Sequence, residues 1–462
     1  MSARMSPLRQ LVRAAASLGV LHIGSMGLTF LVGILLARQL GPSAYGVYAL
    51  AMAVTAFAGM LTEFGLPLLA MREFASAEAR QSWAEARGLV RWADRMILAI
   101  SAIVLCGFFV AAAFWDFAER SAFLATMIWA ILLIPIVAIA KLRGLALLSL
   151  GHTFAGQFAV LILRPGLFAL ALAVMWLAGR ELGPAEAMAW QVAAAAAALL
   201  TVAGLFLHFR PAAFRAATPV NRWRQWLGAT IPMGMTEGLR LLQGQLAVFL
   251  LGALLTTEAV GLFRVAEASA AIGLVPITIL NVVAAPQFSR LFAEKNISEL
   301  QRTLSFVTFA IFLSVAAVAI VMSLFARPLL VLAFGDEFAG SSWPLVVLLL
   351  GNLAVCCFGP VVTLCNMAGL ERHVTISSAI AIIVQLAAAA ILIPAMGPAG
   401  AAISVIISML AWNIFLAVTV RRRIGVNPTI SAFRIDMVTG FVGNLRALTR
   451  SKGRTGKSEI IQ

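Results

Sequence analysis

The sequence predicts an all-α membrane protein that crosses the bilayer many times. Of its 462 residues, 62% are hydrophobic and only 11% are charged, whereas soluble domains carry about 25% charged residues. Apolar runs of about 20 residues recur along the chain, and each is long enough to cross a hydrocarbon core of about 30 Å as a helix. The ten-residue alternating segments of a membrane β-barrel do not occur in this sequence.

We predict about twelve transmembrane helices from these apolar runs. In the first half they cover roughly residues 18–38, 46–71, 96–115, 122–140, 155–178 and 187–208. In the second half they cover roughly residues 229–254, 260–285, 304–326, 343–369, 374–394 and 398–420.

The basic residues indicate how these helices are oriented. If the N-terminus is cytoplasmic, 27 of the 34 Lys and Arg residues lie in cytoplasmic connections and termini, four lie outside, and three lie within spans. Cytoplasmic loops of membrane proteins carry this excess of positive charge. We therefore predict that both termini are cytoplasmic. The net charge of +15 then follows from membrane orientation, and we expect no nucleic-acid partner.

Two short stretches repeat at nearly half the chain length. Four positions keep their residue type at an offset of 215: Leu40, Ala44, Gly46 and Ala51 correspond to Leu255, Ala259, Gly261 and Ala266. Gly-Pro-Ala also occurs at 183–185 and at 397–399. We predict two six-helix bundles related by this repeat, over residues 1–215 and 216–425, followed by a basic cytoplasmic tail over 426–462. Duplicated halves are typical of secondary transporters.

Two connections carry aromatic residues suited to a membrane interface. Tyr45 and Tyr48, the only tyrosines, follow the Gly41-Pro42 turn. Because tyrosine is enriched at membrane–water interfaces, we predict that both lie at the outer interface. The connection at 208–227 mixes four arginines with Trp223 and Trp226. This composition fits a short helix on the membrane surface, and it equally fits an ordinary basic loop.

Charged residues within or beside the apolar spans are the candidate functional residues, because each one costs at least about 2.5–3.5 kcal/mol in a membrane. They are Arg38, Glu63, Arg164, Glu237, Arg240, Arg264 and Glu267. A structural role is the alternative: Glu237 with Arg240, and Arg264 with Glu267, are three residues apart and can neutralise each other on one helix face. Arg38 and Arg264 lie near span ends, where long side chains reach the interface.

Other kinds of chemistry are not supported by the sequence. Gly456-Lys457-Ser458 lacks the first glycine of a phosphate-binding loop, because Ser451 stands there. The four cysteines lie in apolar stretches and are predicted to be buried hydrophobic residues. The longest outward connection, at about 327–342, is too short for a catalytic domain. We expect no metal, no cofactor and no enzymatic activity.

Several motifs together resemble a known family. They are Leu35-Leu36-Ala37-Arg38-Gln39-Leu40-Gly41-Pro42-Ser43-Ala44-Tyr45-Gly46, Glu63-Phe64-Gly65-Leu66-Pro67, Gly261-Leu262-Phe263-Arg264-Val265-Ala266, Pro286-Gln287-Phe288-Ser289-Arg290 and Ile393-Pro394-Ala395-Met396-Gly397-Pro398. Over roughly residues 15–420 the chain resembles the polysaccharide-biosynthesis, or oligosaccharide flippase, family of the MATE-like multidrug, oligosaccharidyl-lipid and polysaccharide exporter superfamily.

The resemblance implies alternating access in a bacterial inner membrane. The implied cargo is an undecaprenyl-diphosphate-linked oligosaccharide for lipopolysaccharide or exopolysaccharide, and the implied partners are membrane lipids, a polymerase and a chain-length regulator. Guanidinium groups bind phosphate in a bidentate manner, so Arg164 and Arg240, helped by Arg264 or Arg38, are expected to hold the diphosphate. Glu63, Glu237 and Glu267 are candidates for binding a coupling H⁺ or Na⁺.

Three alternatives remain open. A cation-coupled drug antiporter of this architecture would carry a more acidic and aromatic cavity than these arginines provide. Lipid II flippases usually contain two more spans. A membrane-embedded polymerase or ligase of the same pathway usually carries a large periplasmic loop.

Overall fold

The computed structural model describes residues 7–114 and 121–432, and these residues are almost entirely helical. The helices of the first half are α1 (Pro7–Glu63), α2 (Leu66–Arg80), α3 (Trp83–Phe114), α4 (Ser121–Ser149), α5 (Thr153–Phe158), α6 (Arg164–Leu177), α7 (Pro184–Phe209) and α8 (Ala212–Ala216). The others are α9 (Trp223–Leu254), α10 (Thr257–Ala270), α11 (Val275–Ala293), α12 (Ile297–Leu324), α13 (Ala326–Phe334), α14 (Ser342–Cys356), α15 (Val361–Met367), α16 (Glu371–Met396) and α17 (Pro398–Arg423).

Nine segments of the described residues are long and apolar enough to cross a membrane, judged by length and composition. The first, Gly19–Arg80, covers the two spans predicted at the start of the chain. Inside α1, Gly41 is non-helical (φ 69°, ψ 173°) and separates two helical segments. We call this break the Gly41 joint. The seventh and eighth predicted spans correspond to α9 and to α10 with α11, which are not among the nine. The helix order is thus roughly consistent with the predicted dozen, and the protein is an all-α, polytopic membrane protein.

Four predicted spans are interrupted, and each interruption lies beside a proline. The span predicted at 46–71 breaks at Phe64 and Gly65 (φ 32° and 77°), just before Pro67. A five-residue π-helix, Ala159–Leu163, precedes Pro165. A 3₁₀ turn, Ala271–Leu274, precedes Pro276 in the same way. The span predicted at 343–369 is split between α14 and α15, where Gly359 adopts φ 64° and is followed by Pro360. Proline has no backbone N–H to complete the ordinary helical pattern, so the local helix geometry changes.

The described chain forms two compact units, each discontinuous in sequence. Unit 1 contains residues up to Ser269 together with Arg327–Pro344 and Ala389–Ala401. We call the end of unit 1 where the Gly41 joint lies the joint end. Unit 2 contains Ala270–Ala326, Leu345–Ala388 and the residues from Ala402 onward. The division at residue 215 drawn from the repeat refers to halves of the sequence, and it stays a prediction.

Unit 1 packs α4 and α7 against each other and against α1, and α9 lies antiparallel to the second segment of α1. Glycines on α9 receive side chains of α1: a Cβ on Gly234 would approach the Phe64 ring to 2.9 Å, and one on Gly238 would approach Met60 to 2.3 Å. Without side chains at these positions, the two helices can pack closely.

Unit 2 has its own hydrophobic core, in which α11, α12, α15 and α17 meet. Phe288, Leu304, Leu364 and Leu416 are fully buried there. After α17 the chain folds back over this core: Asn427 donates its backbone N–H to Gln301 Oε1 at 2.6 Å and accepts from Gln301 Nε2 at 2.9 Å. The remainder of the predicted tail, residues 433–462, lies outside the described residues.

The arginine-rich connection between α7 and α9 is fixed to unit 1. Within it, α8 is only five residues long and Phe214 is buried in the protein. Trp226, in the first turn of α9, is buried as well. Arg87 of α3 donates to the carbonyl oxygens of Arg215 and Ala217, both at 2.6 Å. We call residues 210–222 the strap. The strap contains one short helix and otherwise irregular chain, and a place at the membrane surface stays a prediction.

Candidate functional site

Arg164 is the most isolated of the predicted site residues. It is the first residue of α6, directly after the π-helix, and its backbone N–H bonds to Ala159 O five residues back. The next residue, Pro165, has no N–H to offer Leu161. Sequence and local geometry therefore agree that the helix is widened where Arg164 leaves it, a feature often found at functional sites.

The side chain of Arg164 reaches a small apolar cleft inside unit 1. The residues that line the cleft with Arg164 are Val137, Ala140, Val160, Ala195 and Ala198. Its Nε is buried, and within the described part of the chain the Arg164 side chain forms no hydrogen bond or ion pair. Tyr48 and Glu63 lie within electrostatic range. A guanidinium that keeps its charge without a bound partner can accept an anion.

The two i,i+3 pairs anticipated from the sequence are present. Arg240 donates to Glu237 through both Nε and Nη2, at 3.1 and 2.5 Å, and the two side chains are 61% and 44% exposed. Arg264 donates to Glu267 at 2.6 Å, with exposed fractions of 26% and 35%. Each arginine is therefore neutralised by its own helix in this structure.

The other two predicted residues have partners that the sequence did not indicate. Glu63, at the end of α1, accepts from Lys141 of α4 at 2.8 Å. Arg38 donates to two backbone carbonyls of α13, with Nε 2.7 Å from Ala333 O and Nη2 on Leu332 O. The sequence placed Lys141 in a cytoplasmic loop, where its positive charge helps to set the membrane orientation. Its ion pair with Glu63 was therefore not predicted.

Further ion pairs lie near the strap. Arg143 of α4 contacts Asp94 of α3 at 2.5 Å and lies over the Phe206 ring, 5.5 Å from its centre. Arg222 contacts Glu85 at 2.7 Å. These carboxylates were missed because they stand outside the apolar spans. The only signal available was the density of arginines in the neighbouring connections.

The repeated stretches that organise the sequence touch each other inside unit 1. A Cβ on Gly46 would lie 1.7 Å from Thr257 O, and a Cβ on Gly261 would lie 2.1 Å from Pro42 O. At the repeat offset, Pro42 corresponds to Thr257, and Gly46 corresponds to Gly261. The contact of Gly46 with Thr257 is therefore the repeat equivalent of the contact of Gly261 with Pro42. This reciprocity is the mark of a local two-fold relation. The contact is backbone to backbone.

The two tyrosines that follow Gly41 are buried in the protein. Tyr45 and Tyr48 are only 6% and 7% exposed. Tyr45 packs edge-on against Phe338, and Tyr48 stacks on Phe168. Tyr48 lies within electrostatic range of both Arg164 and Arg264. Aromatic partners from distant parts of the chain cover both rings, which the sequence did not predict, and a depth at the outer interface stays a prediction.

Among the described residues, no group of three or more His, Cys, Asp or Glu side chains is placed to hold a metal ion. The four cysteines are free thiols: Cys356 and Cys365 are buried, Cys357 is partly exposed and Cys106 is exposed. The prediction that all four are buried is wrong for Cys106.

Comparisons with known proteins agree on the fold. A multidrug resistance MATE family transporter of the MOP superfamily, in an inward-facing conformation, aligns with a TM-score of 0.71 and 16% identity, over 87% of this chain and 94% of that chain. The lipid II flippase MurJ, in an inward closed conformation, aligns with a TM-score of 0.69 and 12% identity over 87% of both chains.

A third structure is a MOP superfamily transporter from Pyrococcus furiosus, described as having a binding pocket of reverse polarity that suggests a different function. It aligns with a TM-score of 0.59 and 17% identity, over 89% of this chain and 95% of that chain. At these identities the likeness concerns the fold, which is MATE-like.

Comparison with curated protein sequences finds no match. The family model described as polysaccharide biosynthesis protein matches residues 11–292, more than half of the chain. The match includes the Gly41-Pro42 joint, the π-helix before Arg164, and the reciprocal contact of the two repeats. This chain belongs to the polysaccharide biosynthesis protein family.

Proposed function

We propose that this protein is a flippase that moves an undecaprenyl-diphosphate-linked oligosaccharide across the cytoplasmic membrane by alternating access, for synthesis of a surface or exported polysaccharide. Membership of the polysaccharide biosynthesis protein family supports the pathway. The MATE-like fold, also found in a lipid II flippase, supports movement of a lipid-linked cargo. We expect no enzymatic activity of its own.

The observation that carries this proposal is the unpaired guanidinium of Arg164. A charge within a membrane span costs about 2.5–3.5 kcal/mol even on the lowest scale, and carboxylate partners offset that cost for Arg240 and Arg264. Arg164 has no such partner in the described residues. A diphosphate group would supply one, because planar guanidinium donors match phosphate oxygens.

The remaining arginines have secondary roles in the proposal. Arg240 and Arg264 can exchange their carboxylates for the diphosphate as the cargo passes, which would release Glu237 and Glu267. Those carboxylates, with Glu63, are the candidate sites for a coupling H⁺ or Na⁺. Arg38 is the weakest candidate for binding the cargo, since its donors already serve two carbonyl oxygens.

The excess of basic residues supports a bacterial inner-membrane orientation with both termini in the cytoplasm. In this orientation the Gly41 joint faces outward. A polymerase and a chain-length regulator of the same pathway would act on the delivered cargo, and we propose them as partners.

Reconstitution tests the role of Arg164. Proteoliposomes would carry a labelled, undecaprenyl-diphosphate-linked oligosaccharide, and protection of the label from an impermeant quencher would report its movement. Arg164→Gln should lower the rate about tenfold or more, the loss expected for one charged hydrogen bond. Arg180→Gln, which removes an exposed arginine beyond the end of α6, is the matched control and should transport at the wild-type rate.

A wild-type rate for a properly folded Arg164→Gln variant would overturn the role of Arg164. Repeating the assay with the pH or Na⁺ gradient collapsed tests the coupling carboxylates, and unchanged transport would remove that role from all three. Lipid II and a cationic dye serve as alternative cargoes. Faster movement of either one would favour the lipid II flippase or the drug antiporter. The arginine of the cleft favours the anionic cargoes over the dye.

A further inference from the structure

Residues 326–341 form a compact segment with an unusual position in the chain. The helix α13 ends at Phe334, and Gly335 (φ 107°) joins it to a 3₁₀ turn, Asp336–Ser341. The sequence predicted a loop here. Arg327–Pro344 belong to unit 1, although α12 before them and most of α14 after them belong to unit 2. The contacts described below therefore lie within unit 1.

Arg38 makes the polar attachment. Its Nε and Nη2 donate to the carbonyl oxygens of Ala333 and Leu332, in the last turn of α13. Carbonyls in the last turn of a helix lack intrahelical donors, and that end of the helix attracts positive charge. One exposed arginine thus caps α13 from the first segment of α1, close to the Gly41 joint.

Aromatic residues make the apolar attachment. Phe334 packs edge-on against Phe30 with ring centres 5.8 Å apart, and Phe338 packs edge-on against Tyr45 at 6.2 Å. Phe334 and Phe338 are 2% and 1% exposed. The segment therefore covers both sides of the Gly41 joint.

Away from these contacts, the segment exposes apolar side chains together with the charged residues Arg327, Asp336 and Glu337. Leu329 and Leu332 are 40% and 74% exposed, and Trp343, just beyond the segment, is 61% exposed. Exposed leucines and a tryptophan suit a short helix that lies in the membrane interface. Such a helix can leave α1 without entering bulk water.

We propose that residues 326–341 are a latch that closes the joint end of unit 1, and that Arg38 is the positioning residue that holds it shut. The proposal rests on transport by alternating access, in which the outward end must open once per cycle. Two hydrogen bonds to exposed carbonyls can be exchanged for water at small net cost, so the attachment is suited to repeated release. Arg38 then acts on the latch and does not bind the cargo.

Thiol labelling tests the latch without any cargo. In a variant whose four native cysteines are replaced by alanine, Ser341→Cys places a thiol at a position that is fully buried in the latched structure. Arg38→Gln should raise its labelling rate by an impermeant maleimide about tenfold. Arg38→Lys keeps one charged donor and should give an intermediate rate. Ser43→Cys, already exposed, should label at one rate in all three backgrounds.

Equal labelling of Ser341→Cys with and without Arg38 would overturn the proposal. A second test keeps Arg38 in place. A Cβ on Gly340 would lie 3.4 Å from Leu262 Cδ1, so the pair Leu262→Cys and Gly340→Cys can be joined by a short, reducible bifunctional thiol reagent. Joining should stop transport, and reduction should restore it.

The control pair, Glu85→Cys with Arg222→Cys, ties the strap to α3 and should transport normally when joined. Normal transport with Leu262 and Gly340 joined would overturn the latch. The two proposals also fail separately. If the wild-type protein does not move the lipid-linked oligosaccharide, the proposed function is wrong. The labelling experiment would still test whether Arg38 holds residues 326–341 in place.

Discussion

The two ends of unit 1 are held together by different kinds of contact. At the joint end, the first turns after Gly41 and after Thr256 cross with glycine against backbone, at Gly46 and Gly261. At the arginine-rich end, α3, α4 and the strap meet through ion pairs of long side chains, such as Asp94–Arg143 and Glu85–Arg222. One end depends on the absence of side chains, and the other depends on their length and charge.

This difference determines how each end can respond to change. Where two helix backbones are in direct contact, an added side-chain atom cannot be accommodated, because a Cβ on either glycine would overlap a carbonyl oxygen of the other helix. An ion pair between partly exposed side chains can break, re-form or exchange its partner with little change in backbone. We therefore expect the joint end to be the sterically sensitive region, and the arginine-rich end to tolerate substitutions in proportion to how buried each pair is.

The largest effect is expected at the glycine crossing. In Gly46→Ala the new Cβ would lie 1.7 Å from Thr257 O, so α1 and α10 must move apart. We expect a loss of about 2–4 kcal/mol in stability, measured as a lower melting temperature of the detergent-solubilised protein. Gly261→Ala, which meets Pro42 O, should behave alike because the contact is reciprocal.

Gly59→Ala is the matched control for this prediction. It lies on the same helix, and a Cβ there would have no neighbour within 4 Å. Alanine is a better helix former than glycine, so this variant should be neutral or gain up to about 1 kcal/mol. Equal melting temperatures for Gly46→Ala and Gly59→Ala would show that the crossing is not tight.

The sequence predicted the helices that cross at Gly46 and Gly261, but it did not predict that they contact each other. The apolar runs gave the helices, and the offset of 215 paired Gly46 with Gly261. A repeat shows that two stretches are equivalent, and it does not show that they touch. The burial of Tyr45 and Tyr48 was missed for the same reason, because their ring partners Phe338 and Phe168 each lie more than 100 residues away in sequence.

An intermediate effect is expected at the buried ion pair. The Arg143 and Asp94 side chains are only 14% and 28% exposed, and they meet at 2.5 Å. Asp94→Asn removes the negative charge and leaves a largely buried guanidinium, which should cost about 1–3 kcal/mol. A double-mutant cycle with Arg143→Gln measures the coupling. A coupling energy near zero would mean that Phe206, under the guanidinium, supplies most of the stabilisation of Arg143.

The sequence identified the charged residues of the candidate site, but it predicted only some of their ion-pair and hydrogen-bond partners. Spacing along one helix anticipated Glu237–Arg240 and Arg264–Glu267, since both members of each pair lie on the same face. Contacts between helices, such as Glu63 with Lys141 and Arg38 with α13, depend on tertiary packing and left no periodic signal. Arg164 could be recognised as a charge within a predicted span, but the absence of a partner among the described residues is visible only once the surrounding helices are in place.

The smallest effect is expected at Glu85 and Arg222, whose side chains are 29% and 48% exposed. Exposed pairs contribute about 0–1 kcal/mol, and the strap is also held by Phe214, Trp226 and Arg87. Glu85→Gln should therefore lower the melting temperature only slightly, and added salt should remove the difference. Arg87→Ala should lower it more, because Arg215 O and Ala217 O lose a charged donor. If Glu85→Gln destabilised the protein more than Arg87→Ala, the strap would depend on its ion pair and the contrast between the two ends would have to be redrawn.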